Sequence, residues 1–153
     1  MKLHLKPITP ENWRTFNALK VKKEQAQWVA SNELILARAY VYREYNSNVF
    51  AIYASNTPIG LLMQRDHIDN GKTFCILDQI MIDEQYQGCG YGKVAMKQWI
   101  SLIKENKKYE SIKLCYKEED IIAYNLYRDL GFQYTGEIDE DEITMEYKMF
   151  SID

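Results

Sequence analysis

Gln87-Gly88-Cys89-Gly90-Tyr91-Gly92 sets three glycines within five residues. The apolar run Ile76-Leu77-Asp78-Gln79-Ile80-Met81-Ile82 precedes it, and an amphipathic segment from Lys93 to Lys104 follows. Strand, glycine loop and helix in that order shape a backbone for holding phosphate. Glycine reaches φ > 0 and lets a ligand approach the bare main chain. Successive N–H groups and the positive end of a helix then face the anion. The loop therefore predicts a phosphorylated ligand.

Two common owners of such a loop fail on residues they require. A dinucleotide fingerprint, G-x-G-x-x-G, matches at Gly88 and Gly90, but its third glycine position is Lys93. A P-loop, G-x-x-x-x-G-K-[ST], matches at Gly92-Lys93, but Gln87 replaces its first glycine and Val94 its hydroxyl residue. What remains is Gln-x-x-Gly-x-Gly opening a helix after a strand that ends in Ile82-Asp83.

The flanking sequence predicts one domain over residues 1–153, a length that supports a real core. Lys2–Lys6 alternates like a strand. Thr9-Pro10 is a plausible helix start, with Thr9 as N-cap, for a helix running through Phe16 and Leu19. Leu34, Ala37 and Val41 give Glu33–Tyr42 helical spacing. Val49–Ala54 and Ile59–Gln64 form a hairpin about Ser55–Pro58, and His67–Gly71 is the next turn. Phe74–Ile82 is the central strand. Ala95, Trp99, Leu102 and Ile103 share one face of the helix after the glycine loop. Ser111–Tyr116 is a further strand. The helix Asp120–Leu130 has Ile122, Ala123, Leu126 and Leu130 as its apolar stripe and Gly131 as its C′ residue. Phe132–Glu137 and Ile143–Phe150 close the chain as a hairpin. This order implies an α/β fold with one mixed sheet and helices on both faces.

Composition excludes several classes. Net charge is −3, without the basic footprint of a nucleic-acid binder. No run is long and apolar enough for a bilayer helix, so no membrane partner is expected. The N-terminus has no secretory apolar region, and Cys75, Cys89 and Cys115 show no CxxC spacing. Both point to a cytoplasmic protein with reduced thiols. His4 and His67 stand in no metal-ligand spacing, so no metal is expected. Acidic runs at Glu118–Asp120 and Glu137–Glu142 are either solvated turns or a field that attracts a cation.

The glycine loop resembles motif A of the GNAT N-acetyltransferases, written Gln/Arg-x-x-Gly-x-Gly/Ala. Ala123-Tyr-Asn-Leu-Tyr-Arg-Asp-Leu-Gly-Phe132 resembles the same family's motif B, A-x-x-L-Y-x-x-x-G-F. The two follow one another in the family's order, separated by a helix and a strand. The chain is most similar to the bacterial spermine/spermidine acetyltransferase branch, through Leu77-Asp78, the run 82–88, Leu126-Tyr127, Gly131-Phe132 and Gly136-Glu137.

That resemblance implies the GNAT fold: a mixed, mostly antiparallel sheet of six to seven strands with about four helices, its central strands splayed into a cleft for acetyl-CoA. It implies a pyrophosphate cradle from the backbone of Gly88, Cys89, Gly90, Tyr91, Gly92 and Lys93, with Gln87 opening the loop. Cys89 stands where many relatives carry Lys or Arg. The strand edge at Ile80, Met81 and Ile82 would pair with the pantetheine arm, and its backbone would stabilise the oxyanion. Tyr127 takes the position of the tyrosine that protonates the leaving thiolate. Asp120 stands where the family usually has a cofactor-contacting Asn, with Ala123 beside it; Asp120 also suits a helix N-cap. Asp78 interrupts an apolar strand, and alternation sets it on one face with Ile76, Ile80 and Ile82. It is a general base, a ligand for the substrate ammonium, or a structural carboxylate. Trp28, Glu24 and Glu33 come from segments that shape the acceptor pocket. The acceptor expected is a small-molecule amine, a polyamine first. A protein amine, or a non-catalytic acyl-CoA-binding role, stands as the alternative. Homodimers are frequent in the family, and the last hairpin is the candidate contact.

Overall fold

Apolar residues run almost unbroken through residues 74–82, as expected of a strand covered on both faces. That run becomes β4 (Lys72–Ile82), in the middle of a single seven-stranded sheet in a computed structural model that describes residues 2–149. The other strands are β1 (Leu3–Pro7), β2 (Asn48–Ala54), β3 (Thr57–Asp69), β5 (Tyr109–Lys117), β6 (Gln133–Asp139) and β7 (Glu142–Lys148). Their spatial order is β1-β2-β3-β4-β5-β7-β6, antiparallel throughout except for the parallel pair β4–β5. Helices α1 (Trp13–Asn17) and α2 (Asn32–Val41) cover one face; α3 (Tyr91–Glu105) and α4 (Ile121–Leu130) cover the other. The predicted α/β architecture, with helices on both faces, is the observed one.

Two cores result. Trp99, Met96, Ala95 and Ile103 of α3 pack with Leu62, Leu77, Ile112 and Leu114. Phe16 of α1 and Ile35 of α2 pack with Ala51, Leu61, Met63 and Met81. Trp99 carries its one polar atom inside by donating from Nε1 to Gln64 Oε1 at 2.6 Å, which removes the penalty of burying an indole N–H. Asn32 ties α2 to the end of α1 by donating to the carbonyls of Phe16, Asn17 and Leu19.

Several expectations are corrected. The turn at His67–Gly71 shrinks to Asn70-Gly71, because both residues take positive φ and close a two-residue hairpin that lets β3 run to Asp69. The first hairpin likewise turns tightly at Ser55-Asn56. Leu34 and Val41 point outward from α2; Ile35 is the fully buried residue, with Leu36, Ala39 and Tyr42 packed beside it. The helix carries apolar residues on more than one side, so periodicity alone fits two faces. Leu102 and Ile122 are exposed, and Ile100 and Tyr127 take the buried positions instead. Gly131 does end α4, at φ 105°. The last strand stops at Lys148; Phe150 lies outside the described residues.

Asp78 does not take the face that simple alternation predicts. In the β3–β4 ladder Met63 pairs with Gln79 but Gln64 pairs with Leu77, so Asp78 is an extra residue without a partner. This is a β-bulge, and it reverses the alternation. Before it, Cys75 and Leu77 face α3 and α4; after it, Ile80 and Ile82 face them and Met81 faces α1 and α2. Asp78 therefore does not share a face with Ile80 and Ile82.

Candidate active site

The bulge coincides with the place where β4 and β5 part. Their parallel pairing ends at Leu77 with Leu114, while β5 continues to Lys117 against β7. Residues 78–82 keep β3 on one edge, and no residue of β5 pairs with the other. A cleft of about 440 Å³ opens in the gap.

The glycine loop forms one wall. Gly88 and Gly90 adopt φ 78° and 84°, conformations that cost a residue with a Cβ about 1 kcal/mol or more. Space above both is open: a Cβ there would meet no atom within 4 Å. Gly90 is also the N-cap of α3, and no side chain caps that helix. Ser31 accepts from Leu34 N in α2, and Asp120 accepts from Ala123 N in α4. Of the three helices of ten or more residues, α3 alone presents its first N–H groups with no side chain in front of them. Open donors, a helix dipole and Lys93 in the first turn are the donor set that a pyrophosphate requires. Gln87 lines the cleft and braces the loop: Nε2 donates to Ile82 O and Gln25 Oε1, both at 2.8 Å. Cys89 is exposed and does not line the cleft; its thiol lies against Gln87 O.

Opposite the loop, Asp120, Ala123, Leu126 and Tyr127 enter from α4. The Asp120 carboxylate is the predicted N-cap. Tyr127 is 8% exposed, its ring edge-on to Tyr116 and tilted against Phe132. Its hydroxyl makes no hydrogen bond to another described residue. Burial pushes the phenol pKa well above its usual value, and the nearby Asp120 charge adds to the effect.

Residues 20–31, between α1 and α2, form a further wall, with Val21, Lys22, Gln25, Trp28 and Val29 lining the cleft. They are tied to the end of β4. Asp83 accepts from Lys20 N at 2.9 Å, Glu84 N donates to Lys20 O at 2.7 Å, and Ala30 N donates to Gln79 Oε1. Trp28 is thus brought to the site. Glu33 is not: it accepts from Asn17 Nδ2 at 3.1 Å and borders a separate shallow groove with Thr9, Pro10 and Trp13. Glu24 is exposed and also outside the cleft.

Asp78 reaches the site already paired. Arg38 Nε and Nη2 donate to Oδ1 and Oδ2 at 3.0 and 2.9 Å, and Arg65 Nε donates to Oδ2 at 2.9 Å. Both guanidinium groups lie over the Tyr42 ring. One carboxylate with two guanidinium groups carries net +1, which repels an ammonium and leaves neither oxygen unengaged. Of the three readings, the structural carboxylate fits, for a bulge that needs holding open. Asp78→Asn is expected to cost about 2 kcal/mol, because two cations lose their partner. The figure is modest since both guanidinium groups are partly exposed. Urea unfolding measures it; unchanged stability combined with a selective loss of kcat would restore Asp78 as base.

Sequence reading missed Arg38, Arg65, Gln79, Cys115, Lys117 and Glu142. The arginines come to Asp78 from distant positions with no local signal. Cys115 and Lys117 alternate with the core residues Leu114 and Tyr116, a period-2 cue that points them to the opposite face.

The model of the acetyltransferase (GNAT) family matches residues 8–132. The chain is 32% identical over 148 residues to the spermine/spermidine N(1)-acetyltransferase of Bacillus subtilis strain 168, covering 91% of this chain and 93% of that protein. Its fold is similar to that of the spermidine N-acetyltransferase of Vibrio cholerae in complex with CoA and spermine, at TM-score 0.74, 18% identity and coverage of 96% and 95%. It is also similar to aminoglycoside acetyltransferase AAC(6')-Ib in complex with coenzyme A, at TM-score 0.76, 12% identity and coverage of 96% and 95%.

Proposed function

Because the chain belongs to the acetyltransferase (GNAT) family, an enzyme family that acetylates amines with acetyl-CoA, we propose that its own acceptor is a polyamine such as spermidine or spermine. The observation that carries the reading is that the uncapped glycine loop, the edge of β4 left free by β5, Tyr127 and Trp28 line one cleft. An aromatic wall suits an aliphatic cation.

Acetyl-CoA supplies the acetyl group as an activated thioester. In the proposed mechanism the backbone N–H groups from Gly88 to Lys93 hold the pyrophosphate. The free edge at Ile80–Ile82 aligns the pantetheine arm and offers a donor to the carbonyl oxygen as it gains charge. A neutral amine attacks the carbonyl carbon in the ternary complex; the C–N bond forms and the C–S bond breaks. Tyr127 gives its phenolic proton to the departing sulfur, and the amine proton leaves to water. Aligned groups in one cleft make a covalent acetyl-enzyme unnecessary.

The same reading takes residues 1–153 as one acetyltransferase domain in the cytoplasm, where Cys75, Cys89 and Cys115 stay as free thiols. The last hairpin is the proposed self-contact of a homodimer: β6 is the edge strand, exposed along its length, with Tyr134 and Ile138 outward.

The test is CoA release with spermidine, spermine, simple diamines, aminoglycosides and lysine peptides. Highest kcat/KM with the polyamines is expected. Highest kcat/KM with a lysine peptide would favour a protein substrate, and tight CoA binding without turnover on any amine would favour a binding module.

A further inference from the structure

Three carboxylates line the cleft: Asp78, Asp120 and Glu142. Two are engaged. Asp78 is held by Arg38 and Arg65, and Asp120 caps α4. Glu142 forms no ion pair and no side-chain hydrogen bond among the described residues.

Its position follows from register. Leu114 and Tyr116 of β5 face the α3–α4 core, as do their β7 partners Met145 and Ile143. The intervening residues, Cys115 with Thr144 and Lys117 with Glu142, point to the other face of the sheet. Cys115 Sγ and Thr144 Oγ1 lie 3.5 Å apart on that face. It is the face that also carries Asp78, α2 and the Trp28 segment, opposite the cofactor helix. The cation in register with Glu142, Lys117, donates its ammonium to Asp141 at 2.6 Å instead. Glu142 is half-buried at the first residue of β7, while Glu137, Asp139, Glu140 and Asp141 of the same acidic run are exposed and outside the cleft.

Resting on the polyamine reading, we infer that Glu142 is the specificity-determining carboxylate of the acceptor site and binds a protonated nitrogen of the substrate. Partial burial strengthens such a pair, because water competes less for the charge. Without a partner the same burial disfavours the Glu142 charge: it raises the pKa, Lys117 opposes the shift, and the Asp141, Asp139 and Glu140 charges add to it. A bound ammonium is the compensation this carboxylate lacks. The role predicted for Asp78 in binding the ammonium thus passes across the cleft to β7.

The test compares wild type with Glu142→Gln and Glu142→Asp. Spermidine affinity is measured by calorimetry with CoA bound. The kcat/KM for spermidine is divided by that for a monoamine of matched chain length without a second cation. Glu142→Gln should weaken spermidine binding and lower that ratio, each by about tenfold. Glu142→Asp should recover part of both, and KM for acetyl-CoA should stay within twofold. An unchanged spermidine affinity and an unchanged ratio would overturn the inference. Weaker spermidine binding in the variant, with no polyamine turnover by wild type, would leave the cation site standing and remove the polyamine acetyltransferase reading.

Discussion

Tyr127→Phe should lower kcat by about 10²- to 10⁴-fold, the range for losing a positioned general acid. Acetyl-CoA affinity should stay within about twofold, because the glycine loop and the open end of α3 are untouched. Stability should change little: the hydroxyl makes no hydrogen bond to another described residue, and a phenylalanine ring keeps the packing against Tyr116 and Phe132. Burial raises the phenol pKa above the free value of about 10, so the acid stays loaded at neutral and moderately alkaline pH. A drop in kcat between pH 7 and 9 is therefore not the ionisation of Tyr127. The same desolvation makes the phenol a reluctant donor. It also raises the basicity of a thiolate expelled into the cleft, which offsets that reluctance. Steady-state kcat, an acetyl-CoA titration and a melting curve read the three quantities. A kcat within twofold of wild type would remove Tyr127 from the chemistry.

Gly60→Ala is the substitution with the largest expected effect on stability. Gly60 lies on β3 opposite Ile82, where the cleft begins. A Cβ there would overlap the Met81 carbonyl oxygen and sit 3.3 Å from Ile82 Cα. Both are backbone atoms, so no rotamer change relieves the clash; β3 and β4 must separate. A forced main-chain shift in a packed sheet costs about 3 kcal/mol, which for a chain of this size lowers Tm by about 6–12 °C. The displaced atoms belong to the edge proposed to meet the pantetheine arm, so KM for acetyl-CoA should rise as well. A Tm within 2 °C of wild type would show that the strands accommodate the methyl group.

Most of the fold was legible because its signals are local. The glycine loop between an apolar strand and an amphipathic helix, and the Ala123–Phe132 segment, mark two walls of the cleft by residue type and spacing. The rest of the cleft was not legible, because it depends on register. One unpaired residue at Asp78 inverts which side of β4 each later residue faces, and no composition cue marks a bulge in an apolar run. Arg38, Arg65 and Asp78 meet only after α2 docks on the sheet. Glu142 looks like any member of a solvated acidic turn until the β5–β7 pairing turns it into the cleft. Glu33 shows the reverse: a plausible acid on a pocket-forming segment that faces the wrong way.

The most direct test is to incubate the wild-type protein with acetyl-CoA and spermidine and follow CoA and the polyamine together by mass spectrometry. The expected result is one monoacetylated spermidine for each CoA released, with no acetyl group retained on the protein. Acetyl-CoA bound at the glycine loop with spermidine left unmodified, or an acetylated enzyme as the first product, would contradict direct transfer to a polyamine.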